Sequence, residues 1–297
     1  MSLRLEMLQV ARVAPKVLED ASDLVRDFLL SQQHPDGGFC DRDGESDLYY
    51  TVFGLNALAA FQVEPDMNAV EKFLLKFEEG EGLDLVHLSC LCRCWGTLGQ
   101  KRMPKGLRKV LLNRLEAFRK PCGGWDNNPE REHGTAYGSF LALGAYQDLG
   151  KLPPKPFRIL QSLKYLETPD HAWNNHPNLP VGSTNPTAGA VVLLNNLHLP
   201  INAEVGKWLK KQLHPQGGFV AVPGAPMPDL LTTATALHSL AALEVRLTEE
   251  QTERCLDFID TLWNAGGGFH GNWTDDFLDC EYTFYGLLAL GHLSLNG

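Results

Sequence analysis

The sequence predicts an all-α fold in which about six helical-pair repeats close into an α/α toroid, one ring of helices inside another. Two features of the 297-residue chain indicate this fold. First, a long apolar segment alternates with an amphipathic one at a period of roughly 46 residues, which is typical of helical-pair repeats. Second, a glycine pair followed by an aromatic residue recurs before the apolar segments, at 37–39, 123–125, 217–219 and 267–269.

Each repeat is predicted to supply an amphipathic outer helix and an inner helix that is apolar on most sides. The outer helices are predicted at about 15–33, 66–78, 105–119, 156–167, 201–213 and 248–264. The inner helices are predicted at about 47–61, 83–98, 132–148, 185–198, 229–244 and 276–293. In the fourth repeat, the loop 168–184 is the longest irregular segment, and we expect it to be a lid or a specificity element.

Two further features set the register of the repeats and the closure of the ring. A small hydroxyl residue inside each apolar helix aligns the repeats, at Thr51, Ser89, Thr135, Thr187, Thr233 and Thr283. Open helical arrays carry polar capping helices, whereas the last inner helix here is among the most apolar. We therefore expect the last repeat to pack on the first, and 1–297 to form a single toroid domain.

Composition argues against several classes of protein. A formal net charge of −10 disfavours nucleic acid and anionic membranes as partners, since both attract basic patches. No uninterrupted apolar run is long enough for a transmembrane span, and the N-terminal segment lacks the apolar core of a signal peptide. Seven cysteines, an odd number, suit a reducing compartment, so a cytoplasmic location is expected.

The repeated units resemble the β subunits of protein prenyltransferases and the repeats of squalene and terpene cyclases. The resemblance rests on QQHPDGGF…DLYYTVFGL, HPQGGF…DLLTTATAL and AGGGFHG…DCEYTFYGL, and it covers nearly the whole chain. It implies a toroid with a central, aromatic-lined cavity that binds an isoprenoid-like hydrophobic small molecule. Because a shared fold does not fix an activity, the family's sites have to be compared residue by residue.

The zinc site that the resemblance implies is incomplete. Prenyltransferase β subunits bind zinc through an Asp-x-Cys pair and a later histidine. Here Asp229 is followed by Leu231 at the cysteine position, and Asp279 by Glu281, with Tyr282 where the final histidine would stand. Zinc is therefore not expected. Asp229 and Asp279 are the candidate metal ligands. Mg²⁺ is the candidate cofactor, because Asp275 and Asp276 stand where the resemblance implies diphosphate-binding cations, and Mg²⁺ could bridge such carboxylates to a diphosphate.

Acidic residues stand at the starts of several inner helices, among them Asp47, Asp84, Asp229 and Asp279. One interpretation is helix N-capping. The other is convergence, because inner helices that all run in one direction begin at the same end of the lumen. Crowded carboxylates raise one another's pKa, as a general acid requires. On this second interpretation the candidate catalytic residues are Asp279, Glu281 and His133.

Aromatic residues on the inner helices are the candidates for substrate binding. Aromatic faces can hold an isoprenoid chain and stabilise a carbocation through cation–π attraction. The candidates are Tyr50, Trp95, Tyr137, Tyr282 and Tyr285.

Two functions remain open at this stage. The first is an isoprenoid-processing enzyme, prenyltransferase-like or terpene cyclase-like, with an apolar lumen and an acidic rim. The alternative is a non-catalytic toroid that serves as a binding or interaction scaffold. A deep aromatic cavity with convergent acids favours the enzyme, and a lumen filled by side chains favours the scaffold. The sequence does not say whether a partner subunit takes part.

Overall fold

The computed structural model describes residues 1–296, which are almost entirely helical. The helices are α1 (Leu3–Ala11), α2 (Ala14–Leu18), α3 (Ala21–Ser31), α4 (Leu48–Ala60), α5 (Met67–Leu75), α6 (Leu85–Leu98), α7 (Leu107–Ala117), α8 (Ala136–Asp148), α9 (Arg158–Leu166), α10 (Thr184–Asn196), α11 (Glu204–Lys210), α12 (Leu230–Ala242), α13 (Glu249–Asp260) and α14 (Cys280–Asn296). A short antiparallel hairpin of β1 (Phe39–Cys40) and β2 (Ser46–Asp47) precedes α4.

The apolar helices α4, α6, α8, α10, α12 and α14 form a closed inner ring. Each packs against the next along the chain, and α14 packs against α4. Helices α3, α5, α7, α9, α11 and α13 lie outside this ring with one buried face each. The predicted α/α toroid is confirmed, and so is the assignment of the apolar segments to the inside.

The first outer helix differs from the prediction. In place of one helix over 15–33, the chain forms α2 and then α3. The break falls at Glu19, whose φ of 47° cannot occur inside a right-handed helix. An amphipathic pattern is continuous across such a break, because it reports which side chains face the core and not the local backbone angle.

A hydrogen bond from the turn to the inner helix explains the repeated hydroxyl. The backbone N–H of Phe39 donates to Thr51 Oγ1 at 2.9 Å, and the N–H of Phe219 donates to Thr233 Oγ1 at 2.9 Å. In the third repeat the acceptor is Ser139, which receives the N–H of Trp125 at 3.3 Å. The predicted alignment on Thr135 is therefore corrected to Ser139. Thr135 is the N-cap of α8 and belongs to a different position of the repeat.

The glycine turns are packing contacts between neighbouring repeats. Gly217 has a φ of 89°, and a side chain there would collide with the carbonyl oxygen of Arg254 in the next outer helix. Gly267 approaches the carbonyl oxygen of Leu24 in α3 in the same way. The last turn thus packs on the first outer helix, so the outer ring closes as the inner ring does.

We expect Gly217→Ala to lower the free energy of unfolding by about 3 kcal/mol, since it combines a left-handed backbone with a collision. Gly44→Ala is the matched control, because Gly44 has a φ of 87° and open space around it. Its cost should be about 1 kcal/mol, from the backbone alone. Urea unfolding of both variants measures the difference. Equal losses would contradict the packing role of the turn.

Helix α1, which the sequence patterns did not predict, lies across the C-terminal ends of the inner helices. Its first N–H donates to Gln147 Oε1 at 2.9 Å, and Arg4 pairs with Asp148 at 2.9 Å, both at the end of α8. Its other end packs closely on Gly291 of α14 through Val10. Helix α1 therefore covers one end of the lumen, and Met7 faces the interior.

Across residues 1–296, each helix is too short or too polar to span a lipid bilayer.

Candidate active site in the lumen

The inner ring encloses a cavity of about 260 Å³. Its aromatic lining residues are Tyr49, Tyr137, Phe140 and Tyr285. Its polar lining residues are Asn175, Asn185, Thr235 and His238, and the rest of the lining is apolar. The cavity has the composition of a ligand site, a mainly apolar wall with a few polar groups, although its volume lies just below the usual range of about 300–1,000 Å³.

The starts of the inner helices lie together at one end of this lumen. His87 Nε2 in α6 is 3.6 Å from Asp47 Oδ2 at the start of α4. The side chains of Asn185 in α10 and Thr232 in α12 are joined by a hydrogen bond of 3.2 Å. We call this end the rim, and the opposite end, covered by α1, the floor.

Glu281 is a buried carboxyl group at the rim. Its side chain accepts a hydrogen bond from the Tyr49 hydroxyl at 2.6 Å, and the residue is 9% exposed. The pKa of Glu281 is raised to about 7, mainly by burial; the hydrogen bond from Tyr49 opposes the rise and the neighbouring Asp279 adds to it. Tyr49, which holds this carboxyl group, and Tyr285, one turn further along α14, both line the cavity, so the carboxyl group lies next to residues at the cavity edge.

Asp279 is held in an ion-pair network with Arg42, from the turn between β1 and β2. Arg42 Nε donates to Asp279 Oδ2 at 2.9 Å, and Arg42 Nη2 donates to Asp275 Oδ2 at 2.8 Å. The guanidinium also lies over the rings of Phe277 and Tyr282, at 5.2 and 5.4 Å from their centroids. Asp279 Oδ1 accepts the N–H of Tyr282 at 2.8 Å, as a helix cap does.

The two aspartates of this network respond differently. Burial raises the pKa of Asp279, which is 1% exposed, although the bonds from Tyr282 and Arg42 oppose the rise. At Asp275, burial also acts to raise the pKa, but hydrogen bonds from Phe277 and Arg42 outweigh it and the pKa is lowered. Arg42 therefore pairs with both aspartates, whereas Glu281, with a pKa of about 7, is a carboxyl group that titrates near neutral pH.

The remaining rim acids act as helix caps. Asp47, Asp84 and Asp229 each accept a backbone N–H from the first turn of the helix that they precede. Asp84 also accepts from His87 Nδ1 at 2.8 Å. Asp229 Oδ2 accepts the hydroxyl of Thr232 at 2.6 Å, and burial raises the pKa of its carboxyl group.

The predicted metal ligands Asp229 and Asp279 lie in such capping positions. In the part of the chain that the structure describes, no group of three or more His, Cys, Asp or Glu side chains could hold a metal ion. Both carboxylates are already engaged, Asp229 by Thr232 and Asp279 by Tyr282 and Arg42. A metal role for these two residues stays a prediction.

The predicted substrate-binding aromatics fall into two groups. Tyr137 and Tyr285 line the cavity. Tyr50 and Tyr282 lie at the rim: Arg42 stacks on Tyr282, and Tyr50 packs edge-on against Tyr49 at 5.7 Å between ring centroids. Trp95 requires a correction, because it is fully buried in the protein core and offers no surface to a ligand.

His133, the third predicted catalytic residue, lies apart from Glu281. Its ring stacks on Tyr165 of the outer helix α9, with centroids 4.3 Å apart. Its Nδ1 is buried and has no hydrogen-bond partner among the described residues. His133 is outside the cavity lining, so a catalytic role for it stays a prediction that this position does not support.

Sequence reasoning missed Arg42 and gave no role to Tyr49, Asn175 or His238. Arg42 lies in a polar turn that resembles an ordinary surface loop, and its partner Asp279 is 237 residues away. Asn175 comes from the loop 168–184, and the expectation that this loop contributes to specificity was the available signal. The side-chain Oδ1 of Asn175 is buried and has no hydrogen-bond partner within residues 1–296.

The raised pKa of Glu281 predicts a pH-dependent contribution to stability. The folded-state pKa of about 7 lies above the ordinary value of 4.5, so the contribution is complete below about pH 4.5 and is lost as the pH rises through about 7. Relative to Glu281→Gln, the wild type should lose about 3 kcal/mol across this window. Urea unfolding of both proteins at several pH values measures it. A constant difference between them would contradict the assignment.

The chain belongs to the prenyltransferase α-α toroid domain family, whose sequence model matches residues 14–89 and 187–294, more than half of the chain. No protein with a curated description matches the chain by sequence.

Among solved structures, the chain is similar to the type II terpene cyclase MstE from Scytonema in its apo form. The identity is 13% and the TM-score 0.62, with 94% of this chain and 97% of that chain covered. A variant of the same cyclase bound to its substrate, geranylgeranyl dihydroxybenzoate, matches at 12% identity and a TM-score of 0.60, with 95% and 98% covered.

An inactive variant of an α-1,6-mannanase from a Salegentibacter species, bound to α-1,6-mannotriose, is also similar. Its identity is 12% and its TM-score 0.60, with 94% of this chain and 99% of that chain covered. At such low identities these likenesses show the fold alone, and this fold hosts more than one chemistry.

Proposed function

We propose that the protein is an isoprenoid-processing enzyme of the cyclase-like kind, in which Glu281 donates a proton to an isoprenoid held in the lumen. The observation that carries the proposal is the position of this carboxyl group. It is buried at the edge of an apolar, aromatic cavity, its pKa is raised to about 7, and the Tyr49 hydroxyl fixes one of its oxygens. An acid whose pKa lies near the operating pH is suited to general acid catalysis.

The neighbouring groups match the charges that such a reaction creates. When the proton leaves Glu281, the Tyr49 hydroxyl at 2.6 Å stabilises the carboxylate that remains. The positive charge gained by the isoprenoid faces Tyr137, Phe140 and Tyr285, whose rings stabilise cations. Helix α1 closes the floor of the lumen and restricts the entry of water, which would otherwise trap a carbocation.

The family and the structural neighbours support the substrate class. The chain belongs to the prenyltransferase toroid family, and a neighbour of the same fold binds geranylgeranyl dihydroxybenzoate. The mainly apolar lining of the cavity is consistent with a ligand of that kind. The proposal assigns the chain an isoprenoid-like substrate and a reaction begun by proton transfer rather than by a zinc-bound thiolate.

The test is incubation with isoprenoids in D₂O, followed by mass spectrometry. The substrates are prenyl alcohols, prenyl diphosphates and prenylated dihydroxybenzoates of graded chain length, each with and without Mg²⁺. A reaction begun by proton transfer from Glu281 places one solvent deuterium in each product molecule, and prenyl transfer places none. Product without deuterium, or no product from any member of the series, would refute the proposal. α-1,6-Mannotriose serves as the negative control.

The alternative is a non-catalytic scaffold that binds a hydrophobic ligand. The Arg42 network favours it, because an ion pair engages Asp279, one of the predicted catalytic residues, in a structural contact. On this alternative, wild type and Glu281→Gln would bind the same isoprenoid with equal affinity, and neither would change it chemically.

A further inference from the structure

A pair of histidines, His238 partly exposed and His292 buried, lies deep in the lumen, away from the rim. His238 in α12 lines the cavity, and its Nδ1 is 3.0 Å from Nε2 of His292 in α14. His292 is 4% exposed, and His292 follows Glu281 on the same helix by eleven residues, about 17 Å along the axis. His292 also adjoins Gly291, on which α1 packs. The pair is thus separated from the acid by most of the length of the lumen.

From this arrangement we infer that His238, supported by His292, is the proton acceptor that ends the reaction begun at Glu281. The inference rests on the proposed function. A cation formed by proton addition must lose a proton to leave as a neutral alkene. The C–H bond next to the cationic carbon breaks, its electron pair forms the C=C bond, and the proton passes to Nε2 of His238. No oxidant or reductant is needed.

The contact between the two rings makes this transfer favourable. Only one of the two facing nitrogens carries a hydrogen when both rings are neutral. If His238 Nδ1 carries it and donates to His292, then Nε2 of His238 keeps a free lone pair. When Nε2 takes the proton, the Nδ1–H···Nε2 bond becomes charge-assisted and strengthens. His292 therefore orients His238 and shares the charge that it gains.

Burial keeps this pair neutral and ready to accept a proton. It lowers the pKa of His238 to about 4 and that of His292 to about 3, so neither ring is protonated at neutral pH. A weak base suffices here, because a carbocation is a far stronger acid than an imidazolium ion. At the rim, burial raises the pKa of Glu281 to about 7, which favours the protonated form of this proton donor. Burial thus has opposite effects on the two groups: it favours the protonated carboxyl group at the rim and the unprotonated imidazole of His238 nearer the floor.

The tautomer of His238 provides a test that needs no turnover. Nitrogen-15 NMR of the histidine side chains, assigned by the signals lost in His238→Gln and His292→Phe, should show hydrogen on Nδ1 of His238 and none on Nε2. Hydrogen on Nε2 would overturn the inference, since no lone pair would then be free. This result is independent of whether the protein acts on any isoprenoid.

Product analysis provides the second test. His238→Gln keeps a hydrogen-bonding side chain but is a far weaker base than imidazole, so the main alkene should fall at least tenfold as a fraction of the substrate consumed. Alcohols from water addition or other alkene isomers should replace it. Val192→Ala is the control: it changes the shape of the same cavity wall without removing a base, so it shows the effect of cavity shape alone. Unchanged alkene in His238→Gln would refute the role of His238. A wild type without turnover would refute the proposed function instead, and the inference with it.

Discussion

Glu281→Gln is expected to lower isoprenoid turnover by about 10²–10⁴-fold, the usual contribution of a general acid. Glutamine has nearly the same shape and can still accept the Tyr49 hydrogen bond, but it has no acidic proton to give. Ligand affinity should therefore stay within a few-fold, which calorimetry can measure beside turnover. The wild-type rate should fall as the pH rises through about 7, because the protonated carboxyl group is the active form.

Two variants make this result specific. Glu132→Gln removes an exposed carboxyl group and should leave turnover unchanged. Tyr49→Phe removes the hydrogen bond that opposes the raised pKa of Glu281, so the acid becomes weaker and turnover should fall about tenfold. If Glu281→Gln keeps the wild-type rate, the proton donor is another group and the proposed site is wrong.

Arg42→Ala is expected to destabilise the fold by about 3–5 kcal/mol, since it leaves the buried carboxylate of Asp279 without its partner. The penalty should shrink as the pH falls, because an unpaired Asp279 becomes protonated and no longer carries a buried charge. Burial already raises its pKa above the ordinary value, and the loss of Arg42 raises it further. Urea unfolding at several pH values measures the effect.

Matched variants separate the buried network from ordinary surface charge. Arg26→Ala breaks exposed contacts with Asp23 and Asp27 and should have little effect on the free energy of unfolding, because solvent screens such surface ion pairs. Adding Asp279→Asn to Arg42→Ala removes the unpaired charge and should recover part of the loss. Equal penalties for Arg26→Ala and Arg42→Ala would show that the Arg42 network contributes no more than a surface ion pair.

The architecture could be predicted from the sequence because it repeats. The glycine turns, the apolar helices and the helical hydroxyls recur, and each copy supports the reading of the others. Errors arose where one copy departs from the rest. Thr135 has the right chemistry but the wrong position, and Ser139 makes the repeated hydrogen bond. Helix α1 stands outside the repeat, so no period indicated that it would cover the floor.

The site was less predictable, because it depends on contacts between distant repeats. Asp279 and Glu281 are predicted together from their place at the start of one inner helix, yet their surroundings differ: Arg42 pairs with Asp279, whereas burial raises the pKa of Glu281 to about 7 against the opposing hydrogen bond from Tyr49. Trp95 is a second residue whose surroundings could not be predicted from its position in the sequence. It lies on an inner helix as predicted, but helical spacing does not say which side of that helix faces the cavity.

The closed ring also constrains how the chain can be made. Arg42 lies 237 residues before Asp279, and the outer helix α3 likewise packs on the turn at Gly267. At roughly 5–20 residues per second, the first repeat leaves the ribosome tens of seconds before the partners that cover it exist. During that interval its apolar helix has no neighbour on one side. Nascent chains halted before the last repeat should therefore bind chaperones or aggregate, and release of the full chain should be followed by a late, cooperative closure.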